Sequence, residues 1–153
     1  MLKALRLSEV ANALGARVVG ADVAFAAVST DSRKIEAGQL FVALVGPNFD
    51  GHNYLADVAA KGAVAALVQR EVPGAGLPQL VVADTRIALG QLGALNRAAF
   101  SGPLVAVTGS SGKTTVKEML ASILSTLGPV LATRGNLNND LGVPLTLLEL
   151  APE

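Results

Sequence analysis

The chain has 153 residues, room for one domain or two small ones; 51% are hydrophobic and only 16% charged, which excludes bulk disorder. Twelve basic residues balance twelve acidic ones, so there is no basic field for nucleic acid and no polybasic run for an anionic membrane. Cysteine is absent, which removes disulfides, thiolate nucleophiles and cysteine metal sites.

The N-terminal stretch MLKALRLSEVANALGA carries Lys3 and Arg6 ahead of apolar residues, as a signal peptide would, but Glu9 and Asn12 interrupt the apolar region. It reads as a short amphipathic helix of a cytoplasmic protein. Ser8 is its expected N-cap, Val10, Ala11 and Leu14 form one face, and Gly15 is the stop. No apolar run is long enough to span a bilayer. RVVG and DVAFAAVST read as strands, DSRKIEAG as a turn, QLFVALVG as a strand and GPNFDGHNY as a loop. Asn53 is placed to cap a helix through YLADVAAKG, with Gly62 as its stop. AVAALVQ reads as a buried strand, EVPGAGLP as a loop and QLVVA as a strand. Asp84 caps a longer helix, DTRIALGQLGALNRAAF, which ends near Ser101-Gly102-Pro103. Strands alternating with helices predict a largely parallel α/β sheet, and the Ser-Gly-Pro step predicts a boundary closing a domain over 1–101.

A second βα unit follows. Leu104-Val105-Ala106-Val107 is an apolar strand, Thr108 to Thr115 a glycine-containing turn, and VKEMLASILSTLG an amphipathic helix stopped by Gly128. PVLAT reads as a strand, RGNLNNDLG as a polar loop and PLTLLEL as a helix that Pro144 starts. One strand–helix–strand unit cannot cover both faces of a parallel sheet, so residues 102–153 are expected to be the opening of a second domain that continues beyond Glu153.

The turn Gly109-Ser110-Ser111-Gly112-Lys113-Thr114-Thr115 is built to bind the phosphates of a nucleoside triphosphate, with ATP the expected one. Backbone N–H groups at a helix N-terminus make an anion site, and Gly109 and Gly112 let the chain curl so that they converge. Lys113 can reach the β- and γ-phosphates, and the Thr114 hydroxyl is the expected Mg²⁺ ligand. Lys113 and Thr114 are therefore the catalytic candidates. The strict pattern G-x-x-x-x-G-K-[ST] would put its first glycine at Val107, so this loop is a variant; the bland alternative is a βα turn rich in Gly and Ser for steric reasons alone.

TGSSGKTTVKEML resembles the ATP loop of the Mur ligases, ATP-dependent amide-forming enzymes of peptidoglycan synthesis, whose T-G-x-x-G-K-T form makes Val107 ordinary. STDSRKIEAGQLFVAL with GPNFDGHNY is similar to the UDP-binding N-terminal domain of the members that add the third peptide residue and the terminal dipeptide. TRGNLNNDLGVPLTLLEL is similar to a segment of the dipeptide-adding branch. The resemblance covers nearly the whole chain. It implies a small UDP-binding α/β domain followed by the start of a P-loop parallel-sheet ATPase domain. It further implies ATP, Mg²⁺, UDP-N-acetylmuramoyl tripeptide and D-alanyl-D-alanine as ligands. The implied reaction has ATP phosphorylate the terminal carboxylate to an acyl phosphate, which the dipeptide amine attacks, with phosphate leaving from the tetrahedral intermediate.

The same resemblance puts the UDP contact in Ser29-Thr30-Asp31-Ser32-Arg33, where Arg33 could meet a diphosphate bidentately. The alternative is an Asp31–Arg33 turn that stabilises itself. Asp50, Gly51 and His52 form a second wall, with His52 either donating to a ligand oxygen or supporting the adjacent helix start. Asn136, Asn138 and Asn139 form a third set, able to bind a polar substrate or a metal-bound water, or to serve only as a turn. The family's remaining metal ligands would lie beyond Glu153, so the 153-residue piece alone is expected to give no ligase turnover. Two rivals stand beside this reading. A small P-loop NTPase or kinase would need an Asp at the end of a second strand, where VLAT runs instead into Thr133-Arg134. A non-catalytic UDP-sugar binding module would leave the phosphate loop without a function.

Overall fold

The computed structural model describes residues 3–108, 111–134 and 142–150. It opens with β1 (Leu5–Arg6) and α1 (Leu7–Leu14), which buries Leu7 and Val10. Gly15 ends α1 at φ 66°, a left-handed conformation open to glycine without a Cβ clash. The start of α1 differs from expectation. Ser8 lies inside the first turn, and its backbone N–H and hydroxyl both donate to Asp22, at 3.0 and 2.8 Å. The capping acceptor thus comes from fourteen residues away.

β2 (Arg17–Val19) follows as expected. DVAFAAVST, expected as one strand, bends at Ala26 into β3 (Ala24–Phe25), paired antiparallel with β1, and β4 (Ala27–Ser29), which joins the main sheet. QLFVALVG divides as well. Its first half is β5 (Gln39–Val42); its second half holds β6 (Val45–Gly46), paired antiparallel with β7 (Phe49–Asp50). Gly46 permits this hairpin, because a Cβ there would stand 2.3 Å from the Phe49 ring. A 3-10 turn, Gly51–Tyr54, leads into α2 (Leu55–Ala60). Asp50, not Asn53, caps that turn, accepting from the His52 N–H at 2.9 Å. β8 (Ala65–Val68), β9 (Gln79–Val81) and α3 (Thr85–Ala98) complete the unit. Asp84 caps α3 as expected, accepting from the N–H groups of Arg86 and Ile87 at 2.8 and 3.2 Å.

The main sheet has the order β2-β9-β8-β5-β4, with β9, β8, β5 and β4 parallel and β2 antiparallel at one edge. Alternation along the central strands fills both faces. Leu40, Val42, Ala65 and Leu67 pack with Leu7, Val10, Leu89 and Leu92 of α1 and α3. Phe41, Ala43, Ala66 and Val68 pack with Leu55 and Val58 of α2. Burial on both faces is why these strands read as unbroken apolar runs.

The second region is built differently. α4 (Lys113–Leu124) forms as expected but buries none of its residues. The segments expected as strands over 104–107 and 129–133 form no ladder among the described residues. A parallel strand is stable only with paired neighbours and covered faces, and among the described residues these segments have neither. α5 (Gly142–Leu148) begins two residues before Pro144 and packs on α3. Leu148 enters the main core, and Gly93 meets Pro144 so closely that a Cβ there would lie 3.0 Å from Pro144 Cα. The buried Asn96 amide donates to the carbonyls of Leu147 and Leu150 at 2.7 and 3.3 Å. No helix of the described residues is long and apolar enough to cross a membrane.

Candidate functional site

Parallel β4, β5 and β8 end on one edge of the sheet, the edge at which open α/β sheets receive ligands. Thr30–Arg33 leave the end of β4. Here the self-stabilising turn is the geometry observed. Arg33 places its backbone N–H and Nε on Asp31 Oδ1 at 2.9 and 3.0 Å, and Nη2 on Asp31 Oδ2 at 2.9 Å. The Arg33 guanidinium, then its backbone N–H, lowers the Asp31 carboxyl to about 2. Lys61 reaches across to the Ser32 carbonyl at 2.9 Å. The hydroxyls of Thr30 and Ser32 have no protein partner among the described residues.

The second wall forms beside it. Gly51 is buried, donates its N–H to the Leu44 carbonyl at 2.8 Å, and has no room for a side chain, since a Cβ would lie 2.9 Å from Ala43 Cα. This close approach carries the His52 ring fully beneath the surface. His52 Nε2 accepts the backbone N–H of Gln69 at 2.9 Å, so the ring proton is on Nδ1, which donates to Asp50 Oδ1 at 2.6 Å. Both ring nitrogens are therefore used within the protein, and of the two roles open to His52 the structure supplies the supporting one. Asp50 receives a third bond, from Arg70 Nη2 at 2.8 Å. The Arg70 guanidinium first, then the His52 backbone and ring N–H groups, hold the Asp50 carboxyl well below the usual range.

Sequence reasoning missed Arg70, Gln69 and Thr85. Thr85 donates its hydroxyl to the Ala43 carbonyl at 2.8 Å and its N–H to Gln69 Oε1 at 3.1 Å, tying the start of α3 to the same edge. The available signal was position alone: Gln69 and Arg70 directly follow the apolar run of β8.

The phosphate turn lies in the second region. Gly109 and Ser110 fall outside the described residues, as do Asn136, Asn138 and Asn139. Gly112 is the N-cap of α4 at φ 75°, and among the described residues no side chain caps the helix. The first bond back is from Val116 N–H to the Gly112 carbonyl at 3.0 Å. The N–H groups of Lys113, Thr114 and Thr115 are thus unpaired among the described residues, and all three residues are exposed. Open backbone donors, a positive helix end, the Lys113 ammonium and the Thr114 hydroxyl all belong to one turn, a donor set that fits a polyphosphate and its divalent cation. Lys117, one turn on, is committed elsewhere, to the Thr133 carbonyl at 2.7 Å and to Glu118 at 3.0 Å. Among the described residues no group of three His, Asp or Glu side chains could hold a metal ion.

Two family models match this chain: the Mur ligase family catalytic domain over residues 24–97 and the Mur ligase middle domain over residues 107–153. The chain belongs to the Mur ligase family. Over 147 residues it is 52% identical to UDP-N-acetylmuramoyl-tripeptide–D-alanyl-D-alanine ligase of Escherichia coli (strain K12), an overlap of 96% of this chain and 32% of that protein. A crystal structure of MurF from Acinetobacter baumannii superposes with TM-score 0.88 at 49% identity, covering 97% of this chain and 34% of that one. MurF ligase from Thermotoga maritima, solved in complex with ADP, gives TM-score 0.72 at 35% identity, covering 80% and 28%. The chain spans about a third of the length of these Mur ligases. The family resemblance and the α/β fold it implies are both borne out.

Proposed function

We propose that this chain forms the substrate-holding and phosphate-binding parts of an ATP-dependent ligase that joins D-alanyl-D-alanine to UDP-N-acetylmuramoyl tripeptide in peptidoglycan synthesis. Residues 1–101 would hold the UDP end of the substrate and residues 102–153 would open the ATP-binding domain. The observation that carries this reading is the uncapped start of α4. A Gly-Lys-Thr-Thr turn leaves its N–H groups open to an anion, in a chain 52% identical to an enzyme of that name.

Each residue of the turn has a role in that chemistry. ATP supplies the phosphoryl group that converts the tripeptide carboxylate into an acyl phosphate. Lys113 would neutralise charge on the transferring phosphoryl, assisted by the N–H groups of Lys113, Thr114 and Thr115. The Thr114 hydroxyl would contribute one oxygen ligand to Mg²⁺, an ion that commonly draws its remaining ligands from water and substrate phosphates. The Asn136, Asn138 and Asn139 amides would contact the peptide end of the substrate or a metal-bound water. The hydroxyls of Thr30 and Ser32 would contact the UDP end.

Calorimetric titration with Mg²⁺-ATP, and separately with the UDP-muramoyl tripeptide, tests the two halves independently. Lys113→Ala is expected to weaken nucleotide binding by a factor of roughly ten to one hundred, the scale of a lost charge-assisted contact, and to leave the UDP ligand unaffected. Nucleotide binding that survives Lys113→Ala unchanged would remove the phosphate-loop assignment. The absence of any binding by the UDP ligand would remove the substrate-holding assignment.

A further inference from the structure

The two arginines at the carboxyl edge differ in what their guanidinium groups still have to offer. Arginine has five N–H donors. Arg33 commits its Nε and one Nη2 N–H to Asp31 only two residues away, a bidentate pair that leaves only the Nη1–Nη2 end for a ligand. An anion arriving at that end meets a guanidinium whose charge the Asp31 carboxylate at 2.9 Å already offsets. Arg70 gives one donor, Nη2, to Asp50 and keeps Nε and Nη1 unpaired among the described residues. Its side chain is 56% exposed.

Arg70 is held by a residue from another segment of the chain, whereas Arg33 is held within its own turn. A closed ring of contacts joins Asp50 to His52, His52 to the Gln69 N–H, Gln69 covalently to Arg70, and Arg70 back to Asp50. Asp50 cannot rotate away without losing two bonds to His52, and the buried His52 ring has no other conformation to adopt without losing Gln69. The guanidinium is thereby oriented before any ligand arrives, so less side-chain entropy is lost on binding. β5 lies between β4 and β8, which puts the Thr30–Ser32 turn and Arg70 on either side of its carboxyl end. At roughly 4.8 Å per strand they start about 10 Å apart, a span suited to a nucleoside diphosphate. Phe49, adjacent to Asp50, leaves its ring half exposed on the same wall.

We infer that Arg70, and not Arg33, grips the diphosphate of the nucleotide-linked substrate, with Asp50 and His52 as positioning residues that aim it. This rests on the substrate-holding reading above.

The test is titration of the full chain with UDP and with uridine, with thermal melts confirming that each variant is folded. Arg70→Ala and Arg70→Lys are expected to weaken UDP by roughly tenfold to a hundredfold while leaving uridine unchanged, because a lysine keeps the charge but loses the planar fork. Asp50→Asn is expected to weaken UDP by a smaller factor, also without moving uridine, a selectivity that a merely structural role would not give. Arg33→Ala is expected to stay within a few-fold of the parent. UDP affinity unchanged in Arg70→Ala overturns the inference, and so does a loss in Arg33→Ala as large as that in Arg70→Ala. A parent chain that takes up no UDP overturns the substrate-holding reading itself, and the inference with it.

Discussion

Residues before and after position 101 obey the same local rules and reach different ends. In the first region a parallel sheet lies between α1 and α3 on one side and α2 on the other, and Leu40, Val42, Ala66 and Leu67 are fully buried. In the second, an equally apolar set stays in solvent: Met119 and Ile123 are each 59% exposed and Leu127 82%. The strand-like segment at 104–107 is no less apolar than β8, but among the described residues it has no ladder. The difference teaches that periodicity proposes an element and partners decide it. A helix closes its own hydrogen bonds, so α4 forms alone; a parallel strand borrows all of its bonds from neighbours.

The sharpest way to break this comparison is to truncate one large apolar side chain in each region. Phe41→Ala removes a wholly buried ring from the sheet and is expected to cost about 3–5 kcal/mol. Met119→Ala removes a solvent-facing side chain and is expected to change stability by no more than about 0.5 kcal/mol. Denaturant unfolding of both variants checks this. A Met119→Ala cost near that of Phe41→Ala would mean that α4 is packed in solution and that the two regions do not differ.

What the sequence made legible follows the same division. Asp84 and Gly15 were readable because capping is decided within three or four residues. The Asp22 contact to Ser8 was not, because the acceptor comes from another segment through tertiary structure. The bend at Ala26 and the β6–β7 hairpin were hidden inside apolar runs whose composition does not mark where one sheet is left for another. At the candidate site, the phosphate turn was visible as a motif, since its function is carried by contiguous backbone. The carboxyl edge was only half visible. Asp50 and His52 stood out as polar residues in a loop, but Arg70 became a candidate only when β8 brought it to Asp50 from twenty residues away.

α5 crosses the division, and its loss gives an effect of intermediate size. Asn96→Ala takes the side-chain donor from the Leu150 carbonyl and leaves the Leu147 carbonyl only the longer bond from the Leu150 N–H, at an expected cost of about 1–3 kcal/mol. Hydrogen exchange is expected to quicken in α5 while β5 and β8 keep their protection, since local opening follows the weakest packed unit. Equal loss of protection in β5 would show that α5 is part of one cooperative core rather than an attachment to it.

The smallest effect concerns the charged edge of the first region. Asp50 and Asp31 both titrate below the unfolded carboxylate value of about 3.9. A depressed folded pKa means that the unfolded chain binds protons first on acidification. The stability each pair contributes is therefore complete above about pH 4 and drains away as pH falls through the folded value. Asp50→Asn is expected to flatten the acid limb of the stability curve below about pH 4, because that variant has no carboxylate to protonate. Asp31→Asn is expected to flatten it less: the Arg33 side chain is 84% exposed, and salt and water screen an exposed pair. Unfolding free energies measured from pH 7 down to pH 3, at low and high salt, separate the two. Parent and Asp50→Asn curves that fall in parallel would show that the ring of contacts through His52 and Arg70 holds the edge by shape alone, with no contribution from the charge of Asp50.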